Sequence, residues 1–349
     1  MSKSFLSINL WAKNNGLQLR FYYASNSNFT QTGLGQQRSC NLFGFVAGNS
    51  QSGFTYFKGD LSWYGLVAQG PSEPGEPVKY VGANGSGFTN TLSYDGAKFI
   101  EYYPDGSQVT LEDFSSNARF RPVKVSDANG NVQTFTYSSV TGESGRLKSV
   151  QVPGGNRITF AYSAGSVVSL LSTVTDWSGR VWTFQYDTNG CLTSVAEPLG
   201  CATQFTYRAA TVQSPTAPYS LVHTVQDSRG YRTTYNYDAS NRITTVAAGT
   251  AIWTSTYSAN QSVRTDPSGA KTTFLFDSGI LKATISPVGF RTTYTYNTLG
   301  LTTNKQNPLG NVVQRTYDSG NRLTSEANAL GHRTTYQYDS AGRLTTVTN

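Results

Sequence analysis

Charge is the first thing this sequence lacks. Asp, Glu, Lys and Arg make up 13% of its 349 residues, about half the ~25% of an ordinary globular chain. Methionine occurs once, at the start, and histidine twice. The Leu, Glu, Lys and Met that favour long helices are thin, so long helices are not expected. No apolar run approaches the ~18 residues of a membrane-spanning helix; the best is the five-residue run Val167-Val168-Ser169-Leu170-Leu171. CxxC, GxSxG, HExxH and Walker-type loops are all missing, which removes the commonest zinc, hydrolase and nucleotide signatures. No cofactor or metal is expected. The three cysteines, Cys40, Cys191 and Cys201, are no disulfide framework. A hairpin turning at 197–200 places Cys201 opposite Val195 or Ala196 and leaves Cys191 out of register. A local bridge is therefore not expected, though one through a neighbouring strand stays open.

What is present points to strands. Aromatic residues make up 13%, with 22 Tyr and 18 Phe, beside 34 Gly and 12 Pro. Many aromatics with little charge exclude a disordered chain. Thr and Tyr favour strands, and dense Gly and Pro mean dense turns. The expectation is an all-β protein of repetitive antiparallel hairpins. The net charge of +7 is scattered, without runs of four basic residues, so a structural role for Arg is favoured over nucleic-acid binding. Residues 1–11 carry one Lys and an apolar stretch broken by Ser and Asn. They read as a first strand rather than a signal peptide.

A repeat dominates the C-terminal two-thirds. Its clearest copies run Tyr235-x-Tyr237-Asp238-x-x-Asn241, Tyr294-x-Tyr296-Asn297-x-x-Gly300 and Tyr336-x-Tyr338-Asp339-x-x-Gly342-Arg343-Leu344, with a further copy at Tyr317-Asp318-x-x-Asn321. Alternating with it are turns of the form x-Pro-x-Gly: Pro198/Gly200, Pro267/Gly269, Pro287/Gly289 and Pro308/Gly310. The glycines at 269, 289, 310 and 331 lie 20, 21 and 21 residues apart. Each unit is thus two short strands and two turns. Pro presets φ at the second turn position and Gly takes the positive φ that ends the turn. The position three past the Asp holds only Gly or Asn in the best copies, the residues that tolerate the left-handed region. In Tyr-x-Tyr both rings fall on one face of a strand. The next strand reads Leu-x-x-Val, as at Leu192/Val195 and Leu344/Val347. That breaks strict alternation, through a bulge or through apolar contact on both faces.

The remaining sequence offers weaker signals. Residues 1–118 read as a β-rich lead-in with a Gly/Pro-rich loop near 70–77, and 119–349 as the repeat strip of about ten units. Residues 209–221 insert a longer loop. His332 is a turn-exit residue and His223 follows the insertion; neither has a triad around it. Glu101, Asp105, Glu112 and Asp113 are the acidic cluster near aromatics, a poor basis for a glycosidase. Trp63, Tyr64 and Trp253 fall outside the regular ring pattern and are tentative binding residues for a sugar or a protein. The repeat tyrosines read instead as ladders that hold the sheet.

The Tyr-x-Tyr-Asp-x-x-Gly-Arg-Leu unit with its x-Pro-x-Gly turns resembles the RHS/YD-repeat family, densely over about 120–349 and loosely before it. The resemblance implies a β-strip spiralling into a hollow shell, as in polymorphic toxins, insecticidal toxin complexes and teneurins. At this length it implies a partial wall. The self-cleaving core module and variable toxin that end toxin-type shells have no counterpart here, so no catalytic residue carries over. The leading expectation is a non-enzymatic wall segment that encapsulates or presents a C-terminal effector. The alternative is a secreted or cell-surface binding module for glycans or a protein receptor. An enzyme ranks third. Open sheet edges would also invite self-association.

Overall fold

A computed structural model describes residues 3–8, 19–24, 38–40, 45–49, 53–58, 63–70, 76–83, 88, 90–113, 119–139, 145–163, 169–209 and 220–349. Among these there is strand and turn and no helix. β1 (Lys3–Ile8), β2 (Leu19–Ala24) and β3 (Arg38–Cys40) form a small antiparallel sheet. The other 28 strands form one continuous antiparallel sheet, each hydrogen-bonded to the next in sequence.

That sheet begins as a ring. β4 (Phe45–Asn49), β5 (Gly53–Phe57), β6 (Trp63–Gln69), β7 (Val78–Gly82), β8 (Thr91–Tyr94), β9 (Lys98–Tyr102), β10 (Gln108–Asp113) and β11 (Arg119–Ser126) pair in order. The ring closes where Arg119 and Phe120 of β11 pair with Ala47 and Val46 of β4. The same edge of β11 then changes partner. Lys124 to Ser126 pair with Thr134 to Val132 of β12 (Val132–Tyr137). β11 is therefore the junction at which a closed ring becomes an open strip. Eight strands leave an interior that side chains can fill. Here it is filled by Val46, Phe54, Tyr56, Leu66, Tyr80, Phe88, Leu92, Phe99, Leu111 and Phe120. Phe54 lies at the centre, with its ring 4.9 Å from Phe99 and 5.4 Å from both Tyr80 and Tyr94.

The strip from Val132 to Thr348 repeats one hairpin unit. In each Asp-x-x-Gly or x-Pro-x-Gly turn the Gly N–H donates to the first residue's carbonyl, as Gly190 does to Asp187 and Gly269 to Asp266, both at 3.0 Å. The first residue's own N–H donates to the carbonyl four residues on, as Asp266 does to Ala270 at 3.0 Å. This is a type I turn with a glycine bulge. Its last position requires positive φ, found at Gly200 (81°), Gly269 (87°), Gly289 (83°), Gly310 (85°), Gly300 (77°) and Gly342 (87°), and also at Asn241 (62°) and Asn321 (66°).

The Leu-x-x-Val spacing is explained by a bulge. Tyr186 pairs with Leu192 but Gln185 with Ser194, so Thr193 is skipped. The same shift recurs at Tyr237/Ile243, Tyr296/Thr302, Tyr317/Leu323 and Tyr338/Leu344. One extra residue restores both Leu192 and Val195 to the same buried face. In four copies the first ring of the pair faces a valine across the strand rather than another ring: Phe135 faces Val150, Phe184 faces Val195, Tyr235 faces Val246 and Tyr336 faces Val347, whereas Tyr294 faces Lys305. The core of the strip is concentrated between Phe135 and Phe205. Cys201 lies one residue from its expected place: its carbonyl accepts from Glu197 at 2.7 Å. Cys191 is buried and Cys201 is exposed.

Candidate functional site

The repeat residues form a clasp that ties each unit to the one before it. The second ring of Tyr-x-Tyr sends its hydroxyl to a carbonyl 15 residues back: Tyr186 to Leu171 (2.9 Å), Tyr237 to Val222 (2.7 Å), Tyr317 to Thr302 (2.9 Å) and Tyr338 to Leu323 (2.9 Å). The Asp that follows organises the turn. Oδ1 of Asp339 accepts from the N–H groups of Ala341 and Arg343, and Oδ2 accepts from the Arg343 guanidinium at 2.7 Å. Asp238 and Asp318 do the same with Arg242 and Arg322. Burial alone would raise the Asp238 and Asp339 carboxyls, but these backbone and guanidinium bonds outweigh it and hold both below the usual value. The arginine then lies against the next unit's tyrosine, Arg242 4.4 Å from Tyr257 and Arg322 4.9 Å from Tyr338. One turn thus reads Asp, Arg and the following Tyr as a connected chain of contacts.

These turns also meet the ring. Asn321 Nδ2 donates to the Phe88 carbonyl at 3.1 Å, across 233 residues of sequence. A Cβ on Gly342 would sit 2.9 Å from Thr91 Oγ1. Leu344 N–H donates to Pro104 O at 3.2 Å. The strip therefore comes back to its own beginning, with the turn edge at 318–344 seated on residues 88–104.

Next to that seat is the most chemically concentrated cluster among the described residues. Glu101 on β9 is fully buried (0% exposed). Its Oε2 accepts from Tyr56 Oη at 2.7 Å. Its Oε1 accepts from Lys58 Nζ at 2.9 Å and from Asn90 Nδ2 at 2.7 Å. The Lys58 ammonium stands 5.1 to 5.4 Å from the centres of the Tyr56, Phe88 and Tyr103 rings. Burial and then the Glu101 charge push the Tyr56 and Tyr103 phenols well above the usual tyrosine value. Sequence reasoning reached Glu101 only as part of an acidic cluster, and did not reach Lys58 or Asn90. No short motif joins them.

The remaining candidates do not converge. Glu101 faces Val109 across β9 and β10, whereas Glu112 faces Lys98, three positions along and on the other face of the sheet. Asp105 caps its own turn through Ser107. His223 is a bulge residue whose Nδ1 lies 3.2 Å from the Tyr235 carbonyl. His332 occupies a turn exit, its N–H donating to Asn328. Tyr64 packs on Phe88, centroids 5.1 Å apart. Trp253 is half-buried in the strip opposite Val246. The Trp63 backbone begins β6, and its side chain lies outside the described residues. No group of three or more His, Cys, Asp or Glu able to hold a metal occurs among the described residues.

Part of the repeat strip matches a known sequence family. The RHS Repeat family model fits residues 296–333 and, in a second overlapping copy, 317–349. Residues 296–349 carry RHS repeats. Solved structures with a similar arrangement include TcdB2-TccC3 without its hypervariable C-terminal region (11% identity, 96% of this chain and 22% of that one, TM-score 0.44). TcdB2-TccC3-Cdc42 is another (9% identity, 96% and 19%, TM-score 0.42). A third is a Tc holotoxin pore of Photorhabdus luminescens (10% identity, 84% and 17%, TM-score 0.33). The chain spans about one-fifth of the length of these structures. No curated protein matches it. Among the described residues no helix is long and apolar enough to cross a membrane.

Proposed function

We propose that this chain is a wall segment of an RHS shell, non-enzymatic in itself, whose role is to encapsulate or present an effector carried by the same gene product. The observation that carries this reading is the return of the strip to its start, with the 318–344 turn edge seated on 88–104. A hairpin strip that winds back on itself is a wall, whereas a flat ribbon would leave that edge in solvent. The clasp of 15 residues makes every added unit extend the same curve. A secreted or surface destination goes with this role. The test is to read the coding frame past the Asn349 codon and express the whole product. The expected result is further repeats followed by a compositionally distinct tail that resists protease until the protein is denatured. A stop codon at once, or a tail digested under native conditions, overturns the cargo role.

One observation favours a second reading, a binding or adhesion module. The x-Pro-x-Gly rim carries a row of exposed aliphatic tips at Leu199, Val288, Leu309 and Leu330, each more than 70% exposed. Apolar rows of this kind mark contact surfaces, and the outermost strand, Leu344–Thr348, is exposed throughout. A glycan or protein receptor, with Tyr64 and Trp253 as contributors, and self-association through the sheet edge both belong to this reading. Light scattering across a wide concentration range and a glycan array test it. A strict monomer with no bound sugar removes the self-association and sugar forms.

A further inference from the structure

We propose that Lys58 and Asn90 become joined by an intramolecular isopeptide bond, with Glu101 as the proton-transfer group. The three side chains converge from separate strands. Lys58 directly follows β5, Asn90 directly precedes β8, and Glu101 lies on β9, which pairs with β8. One oxygen, Glu101 Oε1, holds both the Lys58 ammonium at 2.9 Å and the Asn90 carboxamide nitrogen at 2.7 Å. Two nitrogens at those distances from one carboxylate oxygen stand roughly 4.8 Å apart at the ~120° of its lone pairs. The amine is thus held beside the carboxamide it would attack, in the arrangement that converts a slow bimolecular reaction into an intramolecular one. Tyr56 occupies the other carboxylate oxygen at 2.7 Å, which fixes the carboxyl plane and directs Oε1 at the pair.

The chemistry balances with the groups present. Glu101 takes a proton from the Lys58 ammonium, turning a partly buried ion pair into two neutral groups. The Tyr56, Phe88 and Tyr103 rings flank the amine at 5.1 to 5.4 Å. The neutral Nζ attacks Asn90 Cγ and forms the new C–N bond. Glu101 gives that proton to Nδ2 and then takes the second proton from the attacking nitrogen; the Cγ–Nδ2 bond breaks, and ammonia leaves, carrying that last proton away as ammonium and restoring the Glu101 carboxylate. No oxidant, metal or activated donor is needed. Because the product is permanent, a single slow turnover suffices. The bond ties β5 to β8 past β6 and β7, locking the end of the ring on which Asn321 seats.

Intact mass spectrometry of the full 37.9 kDa chain, denatured after incubation in the folded state, decides the matter. One ammonia lost lowers the mass by about 17 Da relative to the sequence. Proteolysis should then yield a branched peptide joining Lys58 to Asn90, with no tryptic cut after Lys58. Lys58→Arg, Asn90→Ala and Glu101→Gln should each show the full sequence mass. Tyr56→Phe, which loosens the carboxyl without removing a reacting group, should slow the loss of ammonia several-fold. A wild-type chain at full mass with linear peptides overturns the proposal, whatever the variants do. So does a loss of about 18 Da with the branch at Glu101, which would be a different amide formed by loss of water.

Discussion

Substituting two turn glycines that look equivalent in sequence tests whether the strip winds back onto its start. Gly331 and Gly342 both end type I turns at positive φ, 83° and 87°. Alanine at either position incurs left-handed strain of about 1–2 kcal/mol, partly offset by the less flexible unfolded chain, about 0.4–1 kcal/mol. Gly331→Ala should therefore cost about 1 kcal/mol and no more, because nothing lies within 4 Å of its new Cβ. Gly342→Ala adds an overlap, with Thr91 Oγ1 at 2.9 Å and Thr91 Cβ at 3.4 Å. Thr91 is itself buried and cannot simply swing aside, so overpacking should add roughly 1–2 kcal/mol. Thr91→Ala removes the closer atom. In a double-mutant cycle Gly342→Ala and Thr91→Ala should couple by about 1 kcal/mol, and Gly331→Ala with Thr91→Ala by about zero. Because repeat arrays can unfold in parts, the cycle is best read by hydrogen exchange of the β8 amides. Gly342→Ala should speed their exchange; Gly331→Ala should not. Equal behaviour of the two alanines, with no coupling to Thr91, would refute the winding.

Other consequences are simpler to check. Tyr338→Phe removes the bond to the Leu323 carbonyl and should lower stability by about 1 kcal/mol, whereas Tyr231→Phe, at an exposed turn position, should be neutral in the same urea titration. The Asp176 side chain is enclosed and accepts from Ser178 and Arg180. Burial raises its carboxyl, but these bonds prevail and lower it. Its contribution is therefore complete above the unfolded value of about 4 and is lost as pH falls below that, so Asp176→Asn should be less stable at neutral pH and show a shallower acid loss in pH-dependent unfolding. A maleimide should label exposed Cys201 in the folded chain and buried Cys191 only after denaturation; equal rates by peptide mapping would contradict the burial.

The local half of this architecture is legible because its chemistry is local. An Asp that caps its own turn, a Gly or Asn at positive φ and a Pro at the second turn position act over four or five residues. Their recurrence every 21 residues therefore determines turn type, strand length and an all-β fold without reference to anything distant. The Leu-x-x-Val strand was legible as an anomaly with a bulge as one of two explanations; the choice fell to the structure, because skipping Thr193 depends on where Tyr186 and Gln185 pair on the next strand. Closure of the ring at Val46 and Phe120, the seating of Asn321 on Phe88, and the meeting of Lys58, Asn90 and Glu101 were decided only in the tertiary structure. Each depends on small twists summed over many strands, and a summed angle leaves no pattern in any one stretch of sequence.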